Sequence, residues 1–312
     1  MPDYKLRTPI AFFIFRRPDA TARVFESIRL VQPPKLLVVA DGSSPDRPGE
    51  VELCDRTRAI IDQVDWDCEV ITNYAPQNLG CRARVSSGLD WVFDTVEEAI
   101  ILEDDCLPDP TFYPFAEELL ERYRHDTRVF SITGQNVQSG QQRGQDSYYF
   151  SRYTHCWTWA SWRRAWQHYD LEMKLWPEVR DRHLLADILG DPQTVKVWEQ
   201  TFQMCYEGKI NTWDFQWTFA NFIHHSLNIV SQKNLVTNIG FGAGGTNTFD
   251  GDSSYSNMAT TAVEFPLTHP SLMVRDVQAD KFTQDTLYDY APPLHKRIYR
   301  KIKTLGSKLP GN

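Results

Sequence analysis

Apolar and amphipathic segments alternate along the first half of the chain. Pro9-Ile10-Ala11-Phe12-Phe13-Ile14-Phe15 is a continuous apolar run, the pattern of a strand covered on both faces. From Ala20 to Val31, residues Ala22, Phe25, Ile28 and Leu30 fall on roughly one face, which predicts a helix capped by Asp19. Lys35 to Ala40 is a second buried strand and closes in the turn sequence Asp41-Gly42-Ser43-Ser44-Pro45. Cys68 to Asn73 reads as a third strand. Asn78-Leu79-Gly80 then breaks the chain before a helix from Cys81 to Thr95. A fourth strand runs from Ala99 to Leu102, and a helix follows from Asp109 to Arg124. Strands alternating with helices predict an α/β fold with a mostly parallel central sheet flanked by helices. In such sheets ligands bind beyond the carboxyl ends of the strands. The polar groups there are Arg16 and Arg17, Asp41, and Glu103-Asp104-Asp105.

The second half is less regular. Val129 to Thr133 is strand-like, Gln135 to Ser147 is a polar loop, and Pro192 to Gly208 is helical. In Cys156-Trp157-Thr158-Trp159-Ala160-Ser161-Trp162-Arg163-Arg164-Ala165-Trp166, the residues Trp159, Trp162 and Trp166 stand at helical spacing. That stripe is read as core, with some indoles left free to stack on a ligand. Trp213-Asp214-Phe215 opens a helix reaching His225, where Asp214 reads equally as a cap. Ile229 to Ile239 is strand-like, and Gly240 to Thr246 is a glycine-rich loop suited to act as a lid. It lacks the strand-then-helix setting of a dinucleotide fingerprint. No repeat, low-complexity tract or linker divides the chain, so one compact unit is expected.

Composition narrows the function classes. A hydrophobic share of 41% in 312 residues supplies a sizeable core. A formal charge of −8 argues against nucleic-acid partners. No apolar run reaches membrane-span length, and Met1-Pro2-Asp3-Tyr4-Lys5 is no signal sequence. A cytoplasmic protein is expected. The six cysteines show no paired spacing, which fits reduced thiols. Residues 296–308 hold six Lys/Arg and no acid, with Ile298, Ile302 and Leu305 on one face. That pattern fits peripheral contact with an anionic membrane as well as it fits a solvated terminus.

The strongest chemical signal is Ile100-Ile101-Leu102-Glu103-Asp104-Asp105-Cys106-Leu107-Pro108. Three adjacent carboxylates at a strand end repel one another, and a hard divalent ion such as Mg²⁺ or Mn²⁺ removes that repulsion. Metals held by one or two carboxylates usually share their other positions with phosphate oxygens, as in nucleotide-diphosphate substrates.

Four features stand in one order: the first strand, the strand ending at Asp41-Gly42-Ser43, the segment Asn78-Leu79-Gly80-Cys81-Arg82, and Glu103-Asp104-Asp105. In that order they resemble the GT-A nucleotide-diphospho-sugar glycosyltransferases, over residues 8 to 250. The Glu-Asp-Asp form, followed by Asp109-Pro110-Thr111-Phe112-Tyr113, is similar to the N-acetylglucosaminyltransferase I type. The tryptophan block is similar to one in bacterial transferases. The resemblance implies a GT-A fold, a UDP-sugar donor and Mn²⁺ or Mg²⁺. It implies Asp105 as metal ligand, Asp104 and Glu103 against the donor ribose and sugar, and Asp41 at the uracil edge. It also implies Arg16 or Arg17 at the nucleotide, Arg82 or Arg84 near the donor, and Asp214 as the base of an inverting transfer. His269 would complete the metal shell as a late histidine does in some of these enzymes; a surface histidine is the other reading. Residues 1–135 would form the donor half, 136–290 the acceptor half of the same domain, and 291–312 a basic tail. The acceptor would be a glycan, a lipid-linked sugar or a small molecule. A nucleotidyltransferase and a carbohydrate-binding protein are the alternatives; the first lacks a glycine-rich loop at Phe15-Arg16-Arg17-Pro18, and the second needs no base.

Overall fold

A computed structural model describes residues 4–44, 46–240 and 257–288. The glycine-rich loop beyond Gly240 and the basic tail lie outside the described residues. In chain order the elements are β1 (Ile10–Ile14), α1 (Pro18–Val31), β2 (Lys35–Ala40), α2 (Glu50–Arg58), β3 (Glu69–Tyr74), α3 (Gly80–Thr95), β4 (Glu98–Glu103), β5 (Cys106–Pro108), α4 (Phe112–Tyr123) and β6 (Val129–Thr133). Then come β7 (Tyr148–Ser151), β8 (Trp159–Trp162), α5 (Arg163–Trp166), α6 (Trp176–Asp181), α7 (Leu184–Leu189), α8 (Pro192–Tyr206), α9 (Asp214–Ile223), β9 (Leu227–Ser231), β10 (Val236–Asn238) and α10 (Val277–Thr283).

Eight strands form one sheet in the order β3-β2-β1-β4-β8-β6-β9-β7. Only β8 and β7 run against the rest. The sheet therefore crosses residue 135 without a break: β1 to β4 and β6 precede it, and β7 to β9 follow it. Helices cover both faces, as the alternating pattern predicts. Alternate residues of each buried strand serve opposite layers. Ile10, Phe12 and Ile14 join Phe25 and Ile28 of α1 and Leu119 of α4. Ala11 and Phe13 join Leu89 and Val92 of α3. A third cluster, built on Trp176, Trp198, Phe202, Phe219 and Phe222, holds α6, α8 and α9 together. No described helix is long and apolar enough to cross a membrane. All six cysteines are free.

Several elements depart from their sequence patterns. Helix α1 starts at Pro18, whose fixed φ suits a first turn, and Asp19 caps nothing. Leu30 is exposed at the end of α1, while Val24 and Val31 take the inner face. The expected tryptophan helix is a strand followed by a single helical turn. Residues three apart on a strand face opposite ways, so Trp162 packs in the layer with α4 and Trp159 in the layer with α3. Both are core residues. The run from Ile229 to Ile239 breaks at residues 232–235 into β9 of the large sheet and β10, which pairs antiparallel with β5. That second pairing lays residues 238–240 across the acidic strand end.

Candidate active site

Strand β4 lies between β1 and β8, so its carboxyl end delivers the acids to the middle of the sheet edge. Asp104 faces inward. Its Oδ2 accepts from the Phe15 backbone N–H at 2.7 Å, and its Oδ1 from Arg17 Nη1 at 3.1 Å. The same Arg17 nitrogen meets Asp105 Oδ2 at 2.5 Å. One guanidinium thus joins two carboxylates, each nearly withdrawn from water. Burial acts against the charge on Arg17, but Asp104 and Asp105 outweigh it and raise its pKa. Glu103 and Asp104 are pushed well above the usual carboxylate range, first by burial and then by their acidic neighbours. A single cation does not neutralise this cluster.

The ligand atoms of Glu103, Asp105 and Cys106 lie within 4.8 Å of one another. Burial, reinforced by Asp105, raises the Cys106 thiol far above its ordinary pKa, so it stays protonated. Its Sγ–H points to Asp105 Oδ1 at 3.4 Å. The remaining donors are hard carboxylate oxygens, a set that fits Mg²⁺ or Mn²⁺ rather than a thiolate-seeking ion. Strand β10 roofs the cluster. Ile239 N–H donates to the Asp105 carbonyl at 2.8 Å, and Gly240 N–H to Asn238 Oδ1 at 2.9 Å. A Cβ on residue 240 would overlap Asp105 Oδ2, so only glycine lets the backbone pass so close. Nothing in the sequence around Gly240 and Asn238 pointed to this approach, because it depends on a pairing 130 residues long.

Asp214 opens α9, half-buried, and is not the cap; its carboxylate accepts from Thr212 Oγ1. Burial raises its pKa against that bond, and its charge is felt at Glu103. The acid run and Asp214 therefore share one electrostatic environment.

The other expected residues divide. Arg16 and Arg17 line a cleft of about 380 Å³ with Arg56, Leu53 and Gly240. Arg16 is held there by an ion pair with Glu50 and lies 5.3 Å from the Phe15 ring centre. Burial works against the Glu50 charge, but the Ser44 N–H and Arg16 outweigh it and hold its pKa low. Asp41 is buried, with chain groups as its partners. Oδ1 accepts from Gly42 N and Leu79 N at 2.8 and 2.9 Å, and Oδ2 from Gly80 N and Asn78 Nδ2 at 2.9 and 3.2 Å. It fastens the β2 turn to the start of α3. Arg84 bonds the Ala40 carbonyl and both oxygens of Asn73, tying β2 to β3. Arg82 points the other way, to the Leu171 carbonyl at 3.0 Å. His269 sits between Tyr148 Oη at 3.1 Å and Glu118 at 3.2 Å, outside the acid cluster. Arg56, Thr212 and Asn238 were not singled out by the sequence, and Gly240 only as the start of a glycine-rich loop.

No family model matches this sequence, and no curated protein matches it. Similarity to solved structures is remote. A mannosyltransferase from Pyrobaculum calidifontis in complex with GDP-Man and Mn²⁺ is 14% identical over 51% of this chain, with a TM-score of 0.34. The match spans 45% of that chain. A UDP-glucose pyrophosphorylase complexed with UDP-glucose is 10% identical over 73% of this chain and 90% of its own, with a TM-score of 0.38. Mouse xyloside xylosyltransferase 1 is 12% identical over 72% of this chain and 84% of its own, with a TM-score of 0.35.

Proposed function

We propose that this chain is a glycosyltransferase of the GT-A kind, moving a sugar from a UDP-sugar to an acceptor hydroxyl with inversion. The reading is carried by one observation: three crowded carboxylates and a bridging arginine stand at the carboxyl end of β4, beside a cleft lined by arginines, with Asp214 near enough for its charge to act on Glu103. Glu103 and Asp105 would hold Mn²⁺ or Mg²⁺, which supplies charge neutralisation at the departing diphosphate. Arg16, Arg17 and Arg56 give the cleft the positive charge a nucleotide diphosphate needs. Asp41 and Arg84 brace β2 rather than line this cleft, and Arg82 is turned to Leu171; the β2 turn held by Asp41 is where the base would lie. Asp214 takes the acceptor proton. A carboxylate with a raised pKa is a stronger base than an ordinary one, and a positioned base contributes about 10²–10⁴-fold. Residues 1–135 then serve the donor and 136–290 the acceptor.

The test is donor binding and turnover in parallel. UDP-sugar binding should require Mn²⁺ or Mg²⁺ and disappear in Asp105→Ala. Asp214→Asn should bind donor as the wild type does and lose about 10²-fold or more in turnover. Full turnover in Asp214→Asn removes the base assignment. A folded protein that binds no nucleotide-sugar with either metal removes the transferase reading.

A further inference from the structure

A second and larger concavity, of about 990 Å³, opens on the same edge of the sheet. Its walls are the 136–147 loop after β6, the turn at 232–234 between β9 and β10, and the returning segment 258–268. Strands β4 and β6 run parallel two positions apart, so the chain leaving β6 into the groove wall starts about 10 Å, two strand spacings, from the end of β4. The volume is at the upper end for a ligand site, and nothing described above uses it.

The groove is built rather than accidental. Asn136 Nδ2 donates to the Ser231 carbonyl at 2.7 Å, and Asn136 N–H to Asn234 Oδ1 at 3.1 Å. Asn234 Nδ2 in turn reaches the Ala259 carbonyl at 3.0 Å. These amides lock the three wall segments to one another. The inward surface then offers further amides and hydroxyls, among them Gln142, Gln145, Ser147, Thr261 and Thr268. Val137, Val263, Met258 and Pro266 supply apolar patches between them. Among the described lining residues charge is sparse and leans slightly negative: Asp146 and Glu264 stand against Lys233, and Asp285 is paired with Lys281. That balance opposes phosphates and uronates. Neutral donors and acceptors spaced by small apolar faces match a pyranose chain, whose hydroxyl edges alternate with C–H faces.

We propose that this groove binds an uncharged oligosaccharide. Its use as the acceptor site rests on the transferase reading above; the glycan binding itself does not.

The experiment is an array of neutral and acidic oligosaccharides, with a parallel peptide array, probed with the labelled full chain. Exposed residues on two walls, Thr261 and Gln145, are replaced by tryptophan to fill the groove. Neutral glycans should be retained, and Thr261→Trp and Gln145→Trp should each weaken the best of them at least about tenfold, or ~1.4 kcal/mol. Mn²⁺-dependent UDP-sugar binding should be unchanged in both variants. Retention of no neutral glycan, a preference for acidic glycans or peptides, or undiminished binding in both variants overturns the proposal. Glycan binding lost in the variants, in a protein that binds no nucleotide-sugar, leaves the groove standing and removes the transferase reading instead.

Discussion

Among the described residues Arg17 is the cation bonded to the acid run, so removing it exposes the cost of gathering those carboxylates. In Arg17→Met the stem stays and the guanidinium goes. Asp104 keeps the Phe15 N–H at 2.7 Å, but both it and Asp105 lose a charged partner within 3.1 Å. Removing one partner of a buried ion pair typically costs about 3–5 kcal/mol. The guanidinium is partly solvated and the acids can take up protons, so about 2–3 kcal/mol is expected at pH 7.5. The pH dependence fixes the cause. Glu103 and Asp104 already have raised folded pKa values, and loss of Arg17 raises them further. A carboxyl raised on folding costs nothing below its unfolded pKa near 4 and its full amount above its folded value. The stability difference between variant and wild type should therefore shrink to below about 1 kcal/mol at pH 5 and grow as pH rises. Urea unfolding in EDTA at pH 5, 6 and 7.5 measures it. Asp104→Asn in the Arg17→Met background should recover about half the loss, which a double-mutant cycle reads directly. Saturating Mn²⁺ should stabilise the variant more than the wild type. A penalty equal at pH 5 and 7.5, or below about 0.5 kcal/mol throughout, refutes the claim that Arg17 neutralises the site.

Three further substitutions separate the site from its frame. Gly240→Ala places a methyl against Asp105 Oδ2, so Mn²⁺-dependent donor affinity should fall at least about tenfold, or ~1.4 kcal/mol, in isothermal titration, with a stability loss of about 1–3 kcal/mol from overpacking. Gly88→Ala puts a Cβ 2.7 Å from Phe13 Cε1 and Val39 Cγ1. The strain of overpacking, about 1–3 kcal/mol, should exceed the ~1 kcal/mol gained from alanine in a helix, and urea unfolding should show a net loss. Asp41→Asn leaves one oxygen where four donors converge. Hydrogen bonds to a charged acceptor are worth about 1.5–3 kcal/mol each, so a loss of at least that size should accompany faster amide exchange at Leu79 and Gly80.

The layered frame was legible because β1 is apolar at every position and β2 at every position after Lys35, and a fully buried parallel strand admits nothing else. The acid run was legible for the opposite reason: three carboxylates after such a strand have no packing role. What escaped the sequence is whatever depends on distant pairing. Asp41 looks like a turn former, and only folding brings Asn78 to Gly80 onto its two oxygens. Trp159 and Trp162 read as one helical face because their spacing of three fits it, yet β8 is bounded by β4 and β6 on its two edges. Sheet pairing overrides the period and sends the two indoles to opposite layers.

The same distance-dependence explains how one strand end serves three purposes with adjacent residues. Asp104 alternates away from its neighbours and is tied to β1 through the Phe15 N–H and Arg17. Asp105 then lies under Gly240, with its backbone carbonyl bonded to Ile239. Glu103 faces the side where Asp214 contributes to its environment. Asp104 is thus tied to the end of β1 and Asp105 to the segment after β10, with Arg17 on both, while α9 acts on Glu103 through the like charge of Asp214. The middle carboxylate fixes the backbone that carries the outer two, whose ligand atoms stand within 4.8 Å even while they repel. A chain that needed only an acidic turn would have no use for this third-party bracing, and its carboxylates would swing into water.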